Sequence, residues 1–352
     1  MASIKFNHVG ISAISACVPK TVMGAESLAG ILTEENLQKI IETIGIKEKR
    51  FADKDVCASD LCFKAAEQLF ADNDIDRNSI DALIFISQTP DYRQPATAPS
   101  MQHRLGLPKT TLSFDINLAC SGFVYGLSTA MAYASLPEIN NVLVLVGETM
   151  SKIVSPKDKS AYPLFGDAGT ATLVQKNDHF GTSLFNLSSD GSDAGILIIP
   201  HGGYRHPSSL EGLAEKTDDE GNIRTGEHLF MDGLGVFNFG LREVSKDVKK
   251  IMELGNISAD SVDLVFFHQA NLLMTDFFSK RLKIASEKIP YCLDKYGNTS
   301  SASIPLTISS ELTNDRFVNR KNVILSGFGG GLSWATALLS LENCNISNVI
   351  EY

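Results

Sequence analysis

The sequence lacks the features by which several classes of protein are recognised. It has no dense cluster of lysine and arginine, and 31 basic against 41 acidic residues give a net charge of −10, so nucleic acid is not expected as a partner. Its apolar runs stay short of the roughly 18 residues that a membrane-spanning helix needs, and we expect no membrane-embedded segment. With only 12 prolines in 352 residues, little of the chain is of low complexity, which is typical of a folded globular protein.

The cysteines lack the spacings of a disulfide framework or a metal site. No C-x-x-C pair and no ligand-like His/Cys spacing occurs, and the six are scattered: Cys17, Cys57, Cys62, Cys120, Cys292 and Cys344. The opening stretch, 4–20, is only superficially similar to the end of a lipoprotein signal, because it alternates like a strand and lacks a basic start. We therefore expect reduced thiols, no metal and a cytoplasmic location.

What the sequence does contain is an internal repeat. "NSIDALIFISQTPD" is echoed by "DSVDLVFFHQAN", with Asp263 standing 182 positions after Asp81. "NLACSGF" from Asn117 matches "NTSSASI" from Asn298, 181 positions later, and "NNVLVLVGETMS" matches "KNVILSGFGGGLS" at the same offset. Three matches in one order, at offsets of 181 or 182, predict two duplicated halves.

Each half alternates strand-like apolar runs with longer amphipathic segments. This pattern predicts an α/β fold whose sheets are mostly parallel and covered by helices on both faces. We predict a boundary near residue 178, between an N-terminal half, 1–178, that carries Cys120 and a C-terminal half, 179–352. Residues 188–233 are rich in glycine and charge and are expected to form a long surface excursion, for which a lid is one use.

Cys120 is a candidate nucleophile. It follows the strand-like "LSFDINLA", and the apolar and small residues after it predict a buried helix that begins at the cysteine. A thiol at a helix N-terminus is favoured as the thiolate, which is the nucleophilic form. The alternative is simple packing, because free cysteine is among the most buried residue types. The small neighbours Ala119, Ser121 and Gly122 favour a site, since they let substrate approach closely.

Two polar residues and a glycine run occupy matching strand ends. His268 closes the apolar strand "DLVFFH", and Asn271 is a plausible cap for the helix after it. Asn298 occupies, in the second half, the place of the Cys120 loop in the first. Each also has a structural reading, a buried donor for His268 and an ordinary turn for Asn298. "SGFGGGLSW", at 326–334, is either a tight loop or a set of exposed amides facing developing negative charge.

These motifs, taken in order, resemble β-ketoacyl-acyl carrier protein synthase III of the thiolase superfamily. The resemblance runs nearly end to end and includes "MDGLGVFNF" at 231–239 and "FGDAGTATLV" at 165–174. It implies a thiolase-like five-layer α/β/α/β/α fold, a homodimer, and a Cys/His/Asn site at the base of a tunnel. It implies no cofactor, with acyl-CoA or acyl carrier protein thioesters as the substrates.

The resemblance also implies a ping-pong Claisen condensation. Cys120 takes an acyl group from a thioester, and a malonyl thioester then loses carbon dioxide and attacks that group. His268 and Asn298 donate hydrogen bonds to the malonyl thioester oxygen. The backbone N–H groups of Cys120 and Gly330 hold the acyl oxyanion, and Phe328 lines the pocket.

The chain departs from the family where substrates are delivered. The tryptophan and arginine that usually sandwich the adenine of coenzyme A are replaced by Lys39 and Thr43, and an arginine used for docking acyl carrier protein is replaced by Leu273. We therefore expect acyl-CoA to be a poorer primer than a carrier-bound thioester.

Three other functions remain open on the sequence alone. One is an acyltransferase that makes an ester or amide from the acyl-cysteine without condensation. Another is a non-catalytic thiolase-fold subunit, against which the joint presence of Cys120, His268 and Asn298 argues. The third, a thiol hydrolase, fits poorly with a narrow tunnel, which excludes bulky peptides.

Overall fold

The helices and strands of the chain follow the alternation that the sequence predicts. The computed structural model describes residues 2–28, 30–311 and 320–352. Its α-helices are α1 (Glu34–Ile44), α2 (Ala58–Asn73), α3 (Thr97–Arg104), α4 (Gly122–Ala134), α5 (Gly233–Leu254), α6 (Leu272–Leu282), α7 (Leu293–Tyr296) and α8 (Ser303–Ser310).

The strands of the first half and its link to the second are β1 (Ala2–Asn7), β2 (Val9–Val18), β3 (Val22–Gly24), β4 (Glu48–Arg50), β5 (Ala82–Ile86), β6 (Leu112–Ile116), β7 (Asn141–Thr149), β8 (Asp167–Lys176) and β9 (Thr182–Ser189). Those that follow are β10 (Leu197–Ile198), β11 (Lys216–Thr217), β12 (Ile223–Arg224), β13 (Phe230–Met231), β14 (Leu264–Phe267), β15 (Val323–Gly329), β16 (Ser333–Leu339), β17 (Asn345–Ile346) and β18 (Ile350–Glu351).

Two large sheets organise the described part of the chain. The first has the order β17-β2-β8-β7-β5-β6, with β18 also pairing with β2, and the second has the order β1-β9-β16-β15-β14. The link 177–181 joins β8 in the first sheet to β9 in the second. The two ends of the chain cross over, since β1 joins the second sheet while β17 and β18 join the first. The sheets therefore exchange end strands across the predicted boundary at residue 178.

The layers follow the predicted order α/β/α/β/α, so that prediction is confirmed. Helices α2 and α3 cover the outer face of the first sheet, α4 and α8 lie between the sheets, and α5 and α6 cover the outer face of the second. Alternate residues of β5 show why the layers form. Ile84 and Ile86 pack into the central core, whereas Leu83 and Phe85 pack under the outer helices. Each such buried side chain contributes roughly 1.5–3 kcal/mol.

The expectation of mostly parallel sheets holds for the first sheet, where β5 pairs in parallel with β6 and β7 and β2 pairs in parallel with β17 and β18, but it is wrong for the second. In the second sheet only β14 and β15 run parallel among the described strands, and in the first β8 runs antiparallel to both β2 and β7. The strands are apolar throughout because both faces are buried, and burial on both faces does not require parallel neighbours.

The segment 188–233 is more than a surface excursion. Its short strands β10 and β13 pair with each other, and Leu197 and Met231 contribute to the interior beside the active-site cavity described below. Among the described helices, none combines the length and the apolar character required to cross a bilayer.

Candidate active site

Cys120 lies on the short connection between β6 and α4. The helix begins at Gly122, two residues later than the sequence predicts. The cysteine is buried against the second sheet, where Gly329 is its close neighbour. A Cβ atom at Gly329 would lie 2.9 Å from both the Cβ and the Sγ of Cys120. Glycine at position 329 therefore makes the room that the sulfur occupies.

The expectation of a resting thiolate is wrong. The pKa of Cys120 is raised to about 12, mainly by burial and also by the nearby charge of Glu148, and a hydrogen bond to Ser300 only partly opposes the rise. Desolvation outweighs the dipole of the following helix, because a buried charge loses far more solvation than a helix end returns. The thiol is neutral at rest and must lose its proton as it attacks.

His268 directly follows β14, as predicted. Its backbone N–H donates to the Ser326 carbonyl at 2.8 Å, and its Nδ1 lies 2.8 Å from the Ser303 hydroxyl. Burial lowers the pKa of His268 to about 3, so the imidazole is neutral across the working pH range. The predicted cap of the next helix is confirmed, since the Asn271 side chain accepts from the Met274 N–H at 2.9 Å.

Hydrogen bonds hold both the backbone and the side chain of Asn298. Its backbone N–H donates to the Leu164 carbonyl at 2.8 Å, and its carbonyl accepts from Gly166. Its side-chain Oδ1 accepts the Ser300 backbone N–H at 2.9 Å. Because the oxygen of the amide is taken, the NH₂ group is the part of Asn298 that is left to face the cavity it lines.

The structure brings the three candidate residues to one cavity of about 240 Å³. Cys120, His268 and Asn298 all line it. Most of its other walls are apolar, and they include Ile44, Leu164, Phe165, Leu197, Met231, Val236, Phe237, Met274 and Phe328. A cavity with apolar walls and a few converging polar groups is the common form of a small-molecule site.

A second cavity, of about 280 Å³, also reaches Cys120. It shares Phe165 and Leu197 with the first, and its further walls are largely apolar side chains: Met150, Ile153, Ile198, Ile199 and Leu229. Gln88 and Asn117 supply its polar edge. The sulfur of Cys120 therefore stands where two chambers meet.

The glycine run and Phe328 border the same place. The Phe328 ring packs edge-on against the His268 ring, with centroids 5.3 Å apart, and lines the first cavity. Gly329 lines it too. Gly330 follows, and a Cβ atom at Gly330 would lie 3.3 Å from the Leu197 side chain and 3.4 Å from that of Ala119.

A buried carboxyl group that sequence reasoning missed lies behind the site. Glu148 accepts hydrogen bonds from the Gln88 N–H at 3.1 Å, the Thr89 hydroxyl at 3.1 Å and the Ser301 hydroxyl at 2.6 Å. Burial raises the pKa of Glu148 to about 7 against these donors. The available signal was a single acidic residue at the end of the apolar run "NNVLVLVGE".

The delivery residues lie toward the outside. Thr43 is exposed, one position before Ile44 of the cavity wall, and Leu273 is half exposed in the first turn of α6. The side chain of Lys39 lies outside the described residues. In the described ranges, no three histidine, cysteine, aspartate or glutamate side chains are grouped as a metal site.

Comparison with known proteins gives one consistent answer. Residues 114–191 match the family described as 3-oxoacyl-[acyl-carrier-protein] synthase III, and residues 252–341 match its C-terminal family. A β-ketoacyl-[acyl-carrier-protein] synthase III from Rhodopirellula baltica is 34% identical over 94% of this chain and 97% of its own.

Solved structures agree. A 3-oxoacyl-(acyl-carrier protein) synthase from Burkholderia xenovorans is 38% identical, with a TM-score of 0.93 over 100% of this chain and 99% of its own. The priming β-ketosynthase of the R1128 polyketide pathway is 25% identical, with a TM-score of 0.82 over 95% of this chain and 97% of its own.

Proposed function

The chain belongs to the 3-oxoacyl-[acyl-carrier-protein] synthase III family and is a condensing acyltransferase with the thiolase fold, and from this premise we propose how its residues divide the work. Cys120 carries the acyl group, while His268 and Asn298 serve the malonyl thioester. The observation that carries this proposal is that the three side chains line one cavity although they are far apart in sequence.

The first step is an exchange of thioesters. The Cys120 sulfur attacks the primer carbonyl, a bond forms between that sulfur and the acyl carbon, and the bond to the donor sulfur breaks. The thiol proton leaves with the departing donor sulfur, so charge and atoms balance. The backbone N–H groups of Cys120 and Gly330 stabilise the oxyanion in between, and one such donor is typically worth roughly 3 to 4 kcal/mol.

The second step forms the carbon–carbon bond. Malonyl thioester loses carbon dioxide, and the electron pair left behind spreads onto its thioester oxygen. The free NH₂ of Asn298 and an imidazole N–H of neutral His268 donate hydrogen bonds to that oxygen. The resulting carbanion attacks the acyl carbon, the bond from that carbon to the Cys120 sulfur breaks, and Cys120 leaves as a thiolate that takes up a proton from water. The ester- or amide-forming reading lacks this step, and the family assignment does not favour it.

The two chambers suit two parts of the substrates. We assign the apolar chain of the primer to the second cavity, because Met150, Ile153 and Leu229 give it an apolar wall. The thioester arm of either donor then occupies the first cavity, whose walls include Ile44 of α1 and Met274 of α6. Acyl carrier protein is the proposed donor, because Lys39 and Thr43 supply neither the tryptophan ring nor the arginine that would sandwich the adenine of acyl-CoA.

Two further assignments, the oligomeric state and the cellular compartment, belong to the same proposal. Strand β6 forms the edge of the first sheet, with Leu112 exposed, and an edge strand of this kind pairs readily with its copy in a homodimer. All six cysteines are free, which suits an enzyme of the reducing cytoplasm.

Intact-protein mass spectrometry with radiolabelled malonyl thioester tests the division of labour. The wild-type chain should gain one acyl mass from an acyl carrier donor, and Cys120→Ala should gain none. Asn298→Ala should be acylated at nearly the wild-type rate but release carbon dioxide at least 100-fold more slowly, which is the usual cost of losing such a donor. An acyl adduct on the Cys120→Ala protein, or equal loss of both steps in Asn298→Ala, overturns the assignment.

A further inference from the structure

Ser300 contacts each of the three proposed site residues. Its hydroxyl lies 3.4 Å from the Cys120 sulfur, and its backbone N–H donates to the Asn298 side chain at 2.9 Å. The backbone of Ser300 also lies beside the His268 imidazole, where it favours protonation of the histidine, an effect that burial outweighs. In the sequence Ser300 is one of three serines in a polar turn, with Ser301 and Ser303. The contacts span 180 residues of chain.

The backbone of Ser300 adopts a conformation that a serine rarely takes. Its φ is +50°, in the left-handed region, although the residue is not glycine. Such a conformation persists only where the surrounding structure fixes it, and it is most common at functional sites. Here it turns the N–H of Ser300 back toward Asn298, while its hydroxyl faces Cys120.

Ser300 is held in place by neighbours that hydrogen-bond to one buried carboxylate, that of Glu148. The Ser300 hydroxyl donates to the Gln88 side-chain oxygen at 3.1 Å. Both Gln88, through its backbone N–H, and Ser301, through its hydroxyl, donate to Glu148. The partner of the Ser300 hydroxyl and the residue that follows Ser300 are therefore anchored to the same group, which holds the hydroxyl in place against the sulfur.

We propose that Ser300 is a positioning residue whose hydroxyl guides Cys120 from thiol to nucleophile. At rest the hydroxyl donates to Gln88, so its oxygen accepts the S–H of Cys120 and fixes the direction of the sulfur. As the thiol loses its proton to the departing donor sulfur, the hydroxyl turns and donates to the developing negative charge. No atom leaves Ser300. This inference rests on the proposed function of Cys120 as the acyl carrier.

Alkylation of Cys120 measures this role without requiring turnover. We expect Ser300→Ala to slow the reaction of Cys120 with iodoacetamide by about tenfold at a given pH, because a hydrogen bond to a charged group is lost. The pH profile of alkylation should also move to higher pH. Peptide mass spectrometry distinguishes Cys120 from the more exposed Cys57 and Cys344.

The two chemical steps should separate in the same variant. Ser300→Ala keeps the backbone N–H that orients Asn298, so acylation should slow by about tenfold while carbon dioxide release from already acylated enzyme changes less than about twofold. Ser300→Gly tolerates a positive φ and also lacks the hydroxyl, so it must give the same result if Ser300→Ala does not fold.

Ser309 provides the matched control. It is a buried serine on α8 whose hydroxyl has no hydrogen-bond partner among the described residues, and Ser309→Ala should leave both steps unchanged. Unaltered alkylation in both Ser300 variants, or equal slowing of both chemical steps, overturns the proposal. Failure of the Cys120 assignment is seen separately, as acyl transfer that persists in Cys120→Ala.

Discussion

The two duplicated halves are alike at one end of their strands. Asp81 accepts the backbone N–H groups of Asn140 and Asn141 at 2.7 and 3.0 Å, and Asp263 accepts those of Lys321 and Asn322 at 2.9 and 3.0 Å. The side chains of Asn141 and Asn322 each donate to a serine carbonyl at 2.9 Å. We call this set of hydrogen bonds around Asp81 or Asp263 the strand-end bracket. It holds the equivalent pair of parallel strands together in each of the two sheets.

At the other end the halves differ at every position that bears on chemistry. Ser301 stands 181 positions after Cys120, and Gly329 stands 181 after Glu148. Cys120 of the first half packs against Gly329 of the second half and borders two cavities. At the two equivalent positions, Ser301 of the second half donates to Glu148 of the first half at 2.6 Å, and both side chains are buried. One copy of the arrangement leaves Cys120 facing two cavities, whereas in the other copy the hydrogen bond between Ser301 and Glu148 fills the equivalent place.

The largest effect on acylation is expected when a side chain at position 329 fills the space beside Cys120. In Gly329→Ala the added methyl group would lie 2.9 Å from the Cβ and Sγ of Cys120, closer than side-chain carbons approach in folded proteins. The sulfur must move, and a displacement of about 1 Å at a reacting atom costs about 100-fold in rate. Acyl-adduct formation followed over time measures the loss.

Gly181→Ala is the matched control. A Cβ atom there meets nothing within 4 Å, so acylation should be unchanged. If Gly329→Ala also acylates at the wild-type rate, the glycine does not create the space for the sulfur, and the contrast between the two copies loses its physical basis.

His268 in the second half and Glu148 in the first half should change the stability of the protein in opposite directions as the pH falls. His268 has its pKa lowered from 6.5 to about 3 by burial, so its contribution to stability is present above pH 6.5 and is lost as the pH falls toward 3. Glu148 has its pKa raised from 4.5 to about 7, so its contribution is present below pH 4.5 and is lost as the pH rises through 7.

Urea unfolding at pH 7.5 and pH 4.5 checks both signs. When the pH is lowered, the wild type loses stability, because His268 becomes protonated in the unfolded chain but stays neutral in the folded one. His268→Gln lacks this loss, so its free energy of unfolding should rise relative to the wild type by about 2 to 3 kcal/mol, which corresponds to about two pH units. Glu148→Gln should lose a similar amount over the same interval. Parallel pH dependence in the wild type and both variants is the contrary result.

The repeated aspartates and the alternation of buried strands with helices were visible in the sequence because they depend on local patterns. Repeated words such as "NSIDALIF" and "DSVDLVFF" carry the aspartates, and an apolar run of strand length predicts burial whatever lies next to it. The same reasoning misjudged strand direction, since an apolar run records how deeply a strand is buried and not which neighbour it pairs with. Helix α4 begins two residues later than predicted, at Gly122 after the cap residue Ser121, whose side chain makes no capping hydrogen bond.

The charge states of the site could not be predicted, because they depend on contacts between distant segments. A thiol near a helix end suggests a thiolate, but Cys120 is enclosed by Gly329 and the loop of Ser300, and desolvation decides its pKa. Ser300 and Glu148 were missed on the same ground. Neither position has a distinctive neighbourhood in sequence, and each acquires its role only when the two halves pack together.

The smallest expected effect tests the likeness of the halves. Asp81→Ala and Asp263→Ala each remove one carboxylate oxygen that accepts two backbone N–H groups, and each should lower the free energy of unfolding by roughly 1 to 3 kcal/mol. The two losses should agree within about 0.5 kcal/mol in urea unfolding. Asparagine keeps one accepting oxygen, so Asp81→Asn and Asp263→Asn should cost less than the alanine variants. A bracket that matters in one sheet and not in the other would mean that the two copies share geometry without sharing energetics.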